Sequence, residues 1–262
     1  MKASTEFPNP ETRLLFDGDL ILYQKGFKHE ETPSWGIIQA DIDNWIEGIL
    51  DKFGTRYYII YLTGKGNFRD GKAVTLPYKG NRTKPKPKWY RQIKDYLLSC
   101  HPTELISGME ADDAIAIEMT SNPNSIHVGI DKDIWMVEGW HYRYATHNSP
   151  EVPLELVKPH LKLNDKGKLK GGGYCWFYAQ MLMGDRTDNI QGVKGYGDKK
   201  AYKTLEGCET EAEHYLAVKQ VYDEVCGDDS EARIRENADL LWMVRELHSN
   251  GEPVLWEKPN GI

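Results

Sequence analysis

Short apolar runs that alternate with helical patterns are the feature that most constrains the fold of this chain. Three runs predict buried strands, over Arg13–Asp17, Arg56–Leu62 and Ser125–Ile130. Between the first two, apolar residues recur at helical spacing from Ile38 to Phe53, and Gly54 follows as a helix stop. Strands that alternate with helices predict an α/β fold with a mainly parallel central sheet and helices on both faces.

The rest of the chain adds elements of both types. A short strand over Glu104–Ser107 precedes a helix that begins near Met109, and a further strand is predicted from Trp140 onward. The lysine- and glycine-rich stretch Lys162–Gly173 predicts a turn or a hairpin tip. From Tyr174 to about His248 the pattern is helical, and EPVLWE is a candidate terminal strand.

Acidic residues gather where the predicted strands end and the helices begin, which is where ligands bind in sheets of this kind. They form four groups: Asp17 and Asp19 in FDGD, Glu110, Asp112 and Asp113 in MEADDAIA, Asp131 and Asp133 in GIDKDI, and Asp185 and Asp188 in MGDRTDN. Any one group is explained by helix-dipole or turn chemistry. Asp19 stands two residues from Asp17, so an extended strand would place both on the same face, and we assign Asp19 a supporting role.

Taken together, so many carboxylates in one cleft would repel one another and resist ionisation. Bound divalent cations relieve such repulsion. A set of carboxylates without His or Cys suits Mg²⁺ or Mn²⁺ rather than zinc. Two such ions a few ångströms apart can clamp the attacking water and the leaving oxygen of a phosphodiester.

The charge of the chain is unevenly distributed. The formal net charge is −7, yet no Asp or Glu lies between Gly71 and Lys94. That segment carries eight basic residues: Lys72, Lys79, Arg82, Lys84, Lys86, Lys88, Arg91 and Lys94. Such segregation indicates a positive track beside a negative site, which a solvated basic loop would explain less well once the acidic groups are considered.

Other classes of protein are disfavoured by composition. No apolar stretch is long enough to span a membrane. The polar, proline-containing segment Met1–Arg13 lacks the pattern of a signal peptide and predicts a loose tail. Four scattered cysteines indicate reduced thiols and a cytoplasmic location, which is the host cytoplasm if the protein is phage-encoded.

Five motifs together resemble one known family. FDGD, the YKGNR of Tyr78–Arg82, EADD, DKD and GDRTDNIQGVKGYGDKKA have the order and spacing of the 5′-nucleases, which include 5′-to-3′ exonucleases and flap endonucleases. The resemblance extends from about Leu14 to Leu205 and is greatest to the short bacteriophage exonucleases, which have an ending similar to VLWEKP. It implies a PIN-like α/β core, a helical arch and a helix–two-turns–helix C-terminal region. The implied domain covers 1–262, with a catalytic core over 13–183, the arch over 78–99 and the C-terminal part over 184–248.

The resemblance also implies two metal sites, occupied by Mg²⁺ or Mn²⁺. Asp17, Glu110 and Asp112 would serve the first site. Asp131, Asp133, Asp185 and Asp188 would serve the second, with Asp112 or Asp113 between the two. Lys79 and Arg82 would hold the scissile phosphate and stabilise developing charge.

Two segments match the parts of the family that hold DNA. Gln191–Ala201 resembles the helix–two-turns–helix, in which Gly192, Gly195 and Gly197 would let the backbone approach phosphates and Lys194, Lys199 and Lys200 would add positive charge. The family often holds K⁺ there through backbone carbonyls. In the arch, Tyr78, Lys84, Lys86 and Lys88 would contact single-stranded DNA. Trp89 and Tyr90 are candidates to stack on bases, although a core role for Trp89 is an equal alternative.

The implied function is two-metal-ion hydrolysis of DNA as a 5′-to-3′ exonuclease, a 5′-flap endonuclease or both, in phage replication, primer removal or recombination. The expected partners are DNA with a 5′ end or 5′ flap and RNA/DNA hybrids, bound by a monomer. One alternative is a haloacid-dehalogenase-like phosphohydrolase with Asp17 as nucleophile. Another is a non-catalytic branched-DNA-binding protein. It gains support from one departure, because Thr63 and Gly64 occupy the place after the second strand where the family usually has an aspartate.

Overall fold

The structure, a computed structural model, describes residues 7–147 and 149–260. The first six residues of the predicted N-terminal tail lie outside the described residues. Two compact units interleave along the chain. The first unit contains the described residues of Met1–Lys65, Lys84–Ile130 and Gly139–Leu156, and the second contains those of Gly66–Thr83, Asp131–Glu138 and Val157–Ile262.

The first unit is built around a six-stranded sheet. Its strands are β1 (Arg13–Asp17), β2 (Tyr58–Asn67), β3 (Thr103–Gly108), β4 (Ser125–Val128), β5 (Gly139–Arg143) and β6 (Val152–Val157). Its helices are α1 (Gly18–Lys28), α2 (Trp35–Phe53), α3 (Tyr90–Cys100) and α4 (Ala111–Ser121). Gly54 ends α2 in the left-handed conformation, with φ of 63°, as the sequence predicted.

The strand order in the sheet is β3-β2-β1-β4-β5-β6. β1 pairs in parallel with β2 and with β4, and β4 pairs in parallel with β5. This confirms the predicted α/β class. The chain runs outward from β1 in both directions, so the order reverses between β1 and β4. Ligands of such sheets bind beyond the carboxyl ends of the strands at that point. The centre of the sheet is inaccessible to solvent, since Leu14, Phe16 and Ile126 are completely buried there.

The first strand ends at Asp17 and does not continue to Asp19. Asp17 closes β1 and caps α1, because its carboxylate accepts a hydrogen bond from the amide of Leu20 at 3.3 Å. Gly18 packs so closely on β2 that a Cβ there would lie 2.6 Å from the carbonyl oxygen of Tyr61. Asp19 is therefore in the first turn of a helix, and the prediction that it shares a strand face with Asp17 is wrong.

The second unit is mainly helical. It contains the hairpin β7 (His160–Leu163) and β8 (Leu169–Gly172), the short pair β9 (Gly184–Asp185) and β10 (Ile190–Gln191), and the helices α5 (Gly173–Met183), α6 (Asp198–Leu205), α7 (Glu211–Cys226) and α8 (Ser230–Leu241). The predicted hairpin is confirmed. The helical pattern ends at Leu241 rather than near His248.

The predicted terminal strand in EPVLWE is wrong. Only an isolated bridge between Leu247 and Pro253 forms there. Trp256 instead turns inward, is 5% exposed and packs near Phe177 and Tyr215. The segment therefore covers the helices of its own unit rather than extending a sheet. Within the described ranges, no helix is both long and apolar enough to cross a membrane.

Two buried histidines predict acid sensitivity of the first unit. The Nδ1 atoms of His127 on β4 and His141 on β5 lie 3.1 Å apart, and both residues are fully buried. Burial, followed by the nearby His141, lowers the pKa of His127 well below its ordinary value. The unfolded chain therefore takes up a proton first as the pH falls below about 6.5, and the fold loses up to about 1.4 kcal/mol per pH unit through this side chain.

We expect His127→Asn, whose amide can replace Nδ1, to make the free energy of unfolding less dependent on pH between 7 and 5. Denaturant unfolding at several pH values measures this. His248→Gln, at an exposed imidazole, is the matched control. An unchanged slope in His127→Asn would show that His127 does not take up the proton.

Candidate active site

The acids of the first unit lie at one edge of its sheet. Asp17 ends β1 and is 7% exposed. Glu110 is the N-cap of α4, and the carboxylate of Asp113 accepts the amide of Glu110 at 3.0 Å in a capping box. Asp113 is completely buried, so its visible role is structural. Asp112, in the same first turn, is half-buried. At the start of α4, the side chains of Glu110 and Asp112 are thus partly accessible to solvent, whereas that of Asp113 is not.

Thr63 connects these elements. It lies inside β2, and its Oγ1 accepts the amide of Ala111 at 3.0 Å. Its own amide donates to the carboxylate of Asp19 at 3.3 Å. Gly64 has no room for a side chain, since a Cβ would lie 2.5 Å from the carbonyl oxygen of Ile106. Of the two positions where a carboxylate is missing, only 63 could therefore carry one. Asp19 brings a carboxylate beside it from α1.

The acids of the second unit form a compact group. The amide of Asp133 donates to Asp131 at 2.9 Å. Asp185 is 5% exposed, and one of its oxygens accepts the amides of Thr187 and Asp188 at 2.6 and 3.2 Å. Lys132 joins the two segments of this group, since its ammonium lies 2.9 Å from Asp133 and 2.8 Å from Asp185.

The carboxylates of this group repel one another and need a nearby positive charge. Burial, followed by the charge of Asp131, raises the pKa of Asp133 to about 7. Burial also opposes ionisation of Asp185, but the hydrogen bond from Lys132 holds its pKa below the usual value. Although burial disfavours its charge, the carboxylates raise the pKa of Lys132. The ammonium therefore supplies the positive charge that this pair of carboxylates requires.

A small cavity of about 20 Å³ borders the group, and it has room for one water or a small ion. Asp133, Asp185 and Asp188 line it together with Gln180. Gln180 is 1% exposed and donates to Asp133 at 2.5 Å, while its Oε1 is buried and accepts no hydrogen bond from the described residues. The carboxylate oxygens and the unsatisfied acceptor of Gln180 are groups that suit a hard divalent cation. The rest of the lining is Arg69, Tyr78, Ile190, Leu240, Leu241 and Met243. In the arrangement described, no three His, Cys, Asp or Glu side chains of residues 7–147 and 149–260 are grouped as ligands of one ion.

Asp188 gathers the predicted catalytic residues. Tyr78 donates its hydroxyl to Asp188 at 3.0 Å, and Arg82 reaches the other oxygen at 2.6 Å. The ammonium of Lys79 lies 3.6 Å from the same carboxylate, and its backbone amide donates to the carbonyl of Asp188 at 2.9 Å. Lys79 has φ of 52°, which is uncommon for a residue with a side chain. The structure thus brings the YKGNR and GDRTDN motifs into direct contact.

The segment after Arg82 differs from a helical arch. Its helix, α3, begins only at Tyr90, and the preceding residues are irregular. Lys84, Lys86 and Lys88 are exposed there. Trp89 donates its indole N–H to the carbonyl of His29 at 3.0 Å and stacks on Trp35 at 5.9 Å. These contacts favour the core role of Trp89 over base stacking.

Two turns separate α5 from α6, over residues 186–189 and 194–195, in the order that the sequence predicted. Gly195 has φ of 83°, and a Cβ at Gly195 or Gly197 would meet nothing within 4 Å. Gly192 differs, because a Cβ there would lie 2.3 Å from the amide nitrogen of Gly184. Its lack of a side chain serves internal packing. The predicted lysines Lys194, Lys199 and Lys200 are all exposed.

Sequence reasoning missed Lys132 and Gln180. Lys132 is the middle residue of the DKD motif, in which only the two aspartates were considered as site residues. Gln180 is the one amide side chain of the buried run from Cys175 to Leu182 in α5. A lone amide in an apolar helix face is the signal that could have identified it, because buried polar groups require partners.

Lys132 predicts a measurable competition with bound cations. We expect Lys132→Gln to bind Mn²⁺ up to about tenfold more tightly, which corresponds to about 1.4 kcal/mol, because the metal no longer displaces an ammonium. In the absence of metal, the same variant should have a lower melting temperature than the wild type. Added Mn²⁺ should raise the melting temperature of the variant more than that of the wild type. Isothermal titration and thermal unfolding measure the two effects.

Lys168→Gln is the matched control, because its ammonium pairs with Asp198 at 3.2 Å on the surface of the same unit. Unchanged or weaker Mn²⁺ binding by Lys132→Gln would contradict the competition.

Sequence comparison finds an exonuclease and a DNA polymerase among similar proteins. No family model matches the chain. A 5′-3′ exonuclease of Buchnera aphidicola subsp. Schizaphis graminum is 29% identical over 230 residues, which cover 81% of this chain and 73% of that protein. DNA polymerase I of Bacillus subtilis is 29% identical over 209 residues. That match covers 75% of this chain but only 22% of the polymerase.

Solved structures share the fold. A bacteriophage T5 flap endonuclease bound to DNA and metal ions matches with a TM-score of 0.57 and 16% identity over 87% of this chain and 98% of that one. The T5 5′-exonuclease with bound zinc matches with a TM-score of 0.55, 18% identity and coverage of 88% and 98%. The catalytic core of Rad2 with a DNA substrate gives 0.51, 17% identity and coverage of 95% and 84%. The chain is thus similar in sequence to a 5′-3′ exonuclease and shares the fold of the T5 flap endonuclease and of the Rad2 catalytic core.

Proposed function

We propose that this protein hydrolyses phosphodiester bonds of DNA with two divalent cations, as a 5′-to-3′ exonuclease and 5′-flap endonuclease. The observation that carries the proposal is the convergence of Tyr78, Lys79 and Arg82 on Asp188, beside the small cavity that Asp133 and Asp185 border. Cationic donors next to a carboxylate cluster are what cleavage of a phosphodiester requires. The sequence relatives include a 5′-3′ exonuclease, and neither the phosphohydrolase nor the non-catalytic alternative gains support from them.

Each unit contributes its own acids to this proposal. In the first unit, Asp17, Glu110 and Asp112 would hold one ion. In the second, Asp131, Asp133, Asp185 and Asp188 would hold the other. When bound, Mg²⁺ or Mn²⁺ supplies an activated water and stabilises charge on the phosphate oxygens. Because position 63 has no carboxylate, water would complete the coordination of the first ion, which Mg²⁺ readily accepts.

The cationic side chains have a defined task. Lys79 and Arg82 hold their charges beside Asp188 before any substrate is present, so positive charge already lies near the place where a phosphate would bind. The Tyr78 hydroxyl keeps Asp188 oriented. Arg82 is half-exposed, whereas Lys79 is more enclosed, and so Lys79 is the better placed to remain near the scissile phosphate.

DNA binding is assigned to two exposed surfaces, one in each unit. Lys194, Lys199 and Lys200, with the open backbone at Gly195 and Gly197, would grip a duplex, and the carbonyls of this segment are candidates to hold K⁺. Lys84, Lys86 and Lys88 would hold the single strand. RNA/DNA hybrids are further candidate substrates, and phage replication, primer removal and recombination are the candidate processes.

A 5′-flap duplex labelled separately at each end tests the function directly. With Mg²⁺ we expect cleavage that starts at the 5′ end and releases short products, and with EDTA we expect none. Asp185→Ala should lower the rate by more than about 100-fold while DNA binding persists, because metal-site changes act on chemistry. Asp228→Ala, at an exposed acid of the same unit, should be fully active. A ladder that starts from the 3′ end, or full activity in EDTA, would refute the proposal.

Removing Lys79, near the acids, should have a different effect from removing Lys199, on the duplex-binding surface. Lys79→Ala should lower kcat at saturating DNA, whereas Lys199→Ala should weaken duplex binding and reduce its salt slope by about one, as expected for a lost phosphate contact. Single-turnover rates and fluorescence anisotropy at several salt concentrations separate the effects. Lys219→Ala, which removes an exposed pair with Asp223, is the control. Equal losses of kcat in both variants would contradict this division of roles.

A further inference from the structure

Helix α8 presents three polar side chains on one face. Arg233, Glu236 and Asn237 are spaced i, i+3 and i+4, which aligns them along the helix. Glu236 is 8% exposed and Asn237 is 1% exposed. Buried polar groups are costly unless they are hydrogen-bonded, so their partners show what this face does.

Glu236 binds the segment that leads to the catalytic lysine. Its carboxylate accepts the backbone amides of Val74 and Thr75 at 2.8 and 2.6 Å, and the Thr75 hydroxyl at 2.6 Å. Arg233 completes the cluster at 2.6 Å from Glu236 and also bonds the Thr75 hydroxyl. Burial opposes its charge, yet the hydrogen bonds from Thr75 and Val74 hold the pKa of Glu236 below its usual value. Residues 74 and 75 are thereby fixed to α8.

The neighbouring positions on α8 bind the segment that carries the acids. Arg233 and Asn237 both donate to the carbonyl oxygen of Gln191, at 3.0 and 2.9 Å. Gln191 lies in β10, which pairs with β9, the strand that ends at Asp185. One helix face therefore anchors both the chain before Lys79 and the chain after Asp188.

A second anchor acts beside the first. Arg69 is 1% exposed and donates to the carbonyl oxygens of Leu240 and Trp242, at 3.0 and 2.6 Å, at the end of α8. Its guanidinium also lies 6.0 Å from the ring centre of Tyr78. The left-handed backbone at Lys79 is disfavoured for a residue with a side chain and persists only where the surroundings determine it. Anchors on both sides supply that constraint.

We infer that Glu236 is a positioning residue for cleavage, which sets the place of Lys79 relative to Asp185 and Asp188 through α8. The inference rests on the proposed function, since it assumes that Lys79 acts on the scissile phosphate. A misplacement of about 1 Å by a distant change can cost about 100-fold in rate. In the described contacts Glu236 bonds Val74, Thr75 and Arg233 and none of the acids. Its effect on Lys79 therefore passes through residues 74–79, whereas an effect on the acids would pass through Arg233 and Gln191.

Glu236→Ala tests the inference by two independent readouts. At saturating DNA and well below the melting temperature, we expect kcat to fall about 10- to 100-fold with no measurable change in Kd for DNA. Hydrogen exchange in peptides that cover 74–82 should become faster. Glu236→Gln keeps one acceptor for the two amides and should recover most of the rate. Glu231→Ala, on the exposed face of the same helix and paired only with Lys219 in the described contacts, should match the wild type.

A double-mutant cycle with Lys79→Ala shows whether the effect passes through the lysine. The loss of kcat from Glu236→Ala should be largely absent in the Lys79→Ala background. Unchanged exchange, unchanged kcat, or additive losses would each overturn the inference. If the wild type does not cleave DNA, the proposed function fails by itself, and hydrogen exchange still decides whether Glu236 fixes the segment.

Discussion

The compensation of buried carboxylates is the constraint on which the rest of the second unit depends. Asp133 and Asp185 lie close enough to share one ammonium, and burial removes the water that would otherwise screen their charges. Lys132 supplies the opposing charge from within the same motif. The same requirement recurs at Asp188, where Tyr78, Lys79 and Arg82 converge on one carboxylate. Asp133, Asp185 and Asp188 are thus each held by donors that the fold has already placed.

The topology of the first unit explains why its acids lie together. Parallel pairing of β1 with both β2 and β4 puts the reversal of strand order beside Asp17. Thr63 then links β2 to the start of α4 through a single hydroxyl. Glu110 and Asp112 begin that helix, where the helix dipole favours negative charge. The edge of the sheet is therefore acidic for local reasons before any ligand is considered.

The basic segment Gly71–Lys94 has different roles along its length. Its first part is folded tightly, with residues 74 and 75 fixed by Glu236 and Lys79 held on Asp188. Its later lysines are exposed, while Trp89 fastens the chain before α3 to the first unit. The basic residues of this segment therefore differ in their structural roles. Lys79 and Arg82 pair with a carboxylate, whereas the later lysines are exposed to solvent.

Sequence by itself determined the α/β class, the C-cap of α2, the β7–β8 hairpin and the four acidic groups, because local periodicity, glycine and short motifs encode them. Its motifs also indicated the resemblance to the 5′-nucleases, in agreement with the 5′-3′ exonuclease found by sequence comparison. Only tertiary structure decided that Gly18 begins a helix and moves Asp19 off the strand, since close packing on Tyr61 ends β1 there. Contacts between residues distant in sequence likewise revealed Lys132, Gln180 and Glu236. Their hydrogen-bond partners are Asp185, Asp133 and Val74, which lie 53, 47 and 162 positions away in the sequence. No local sequence pattern extends that far.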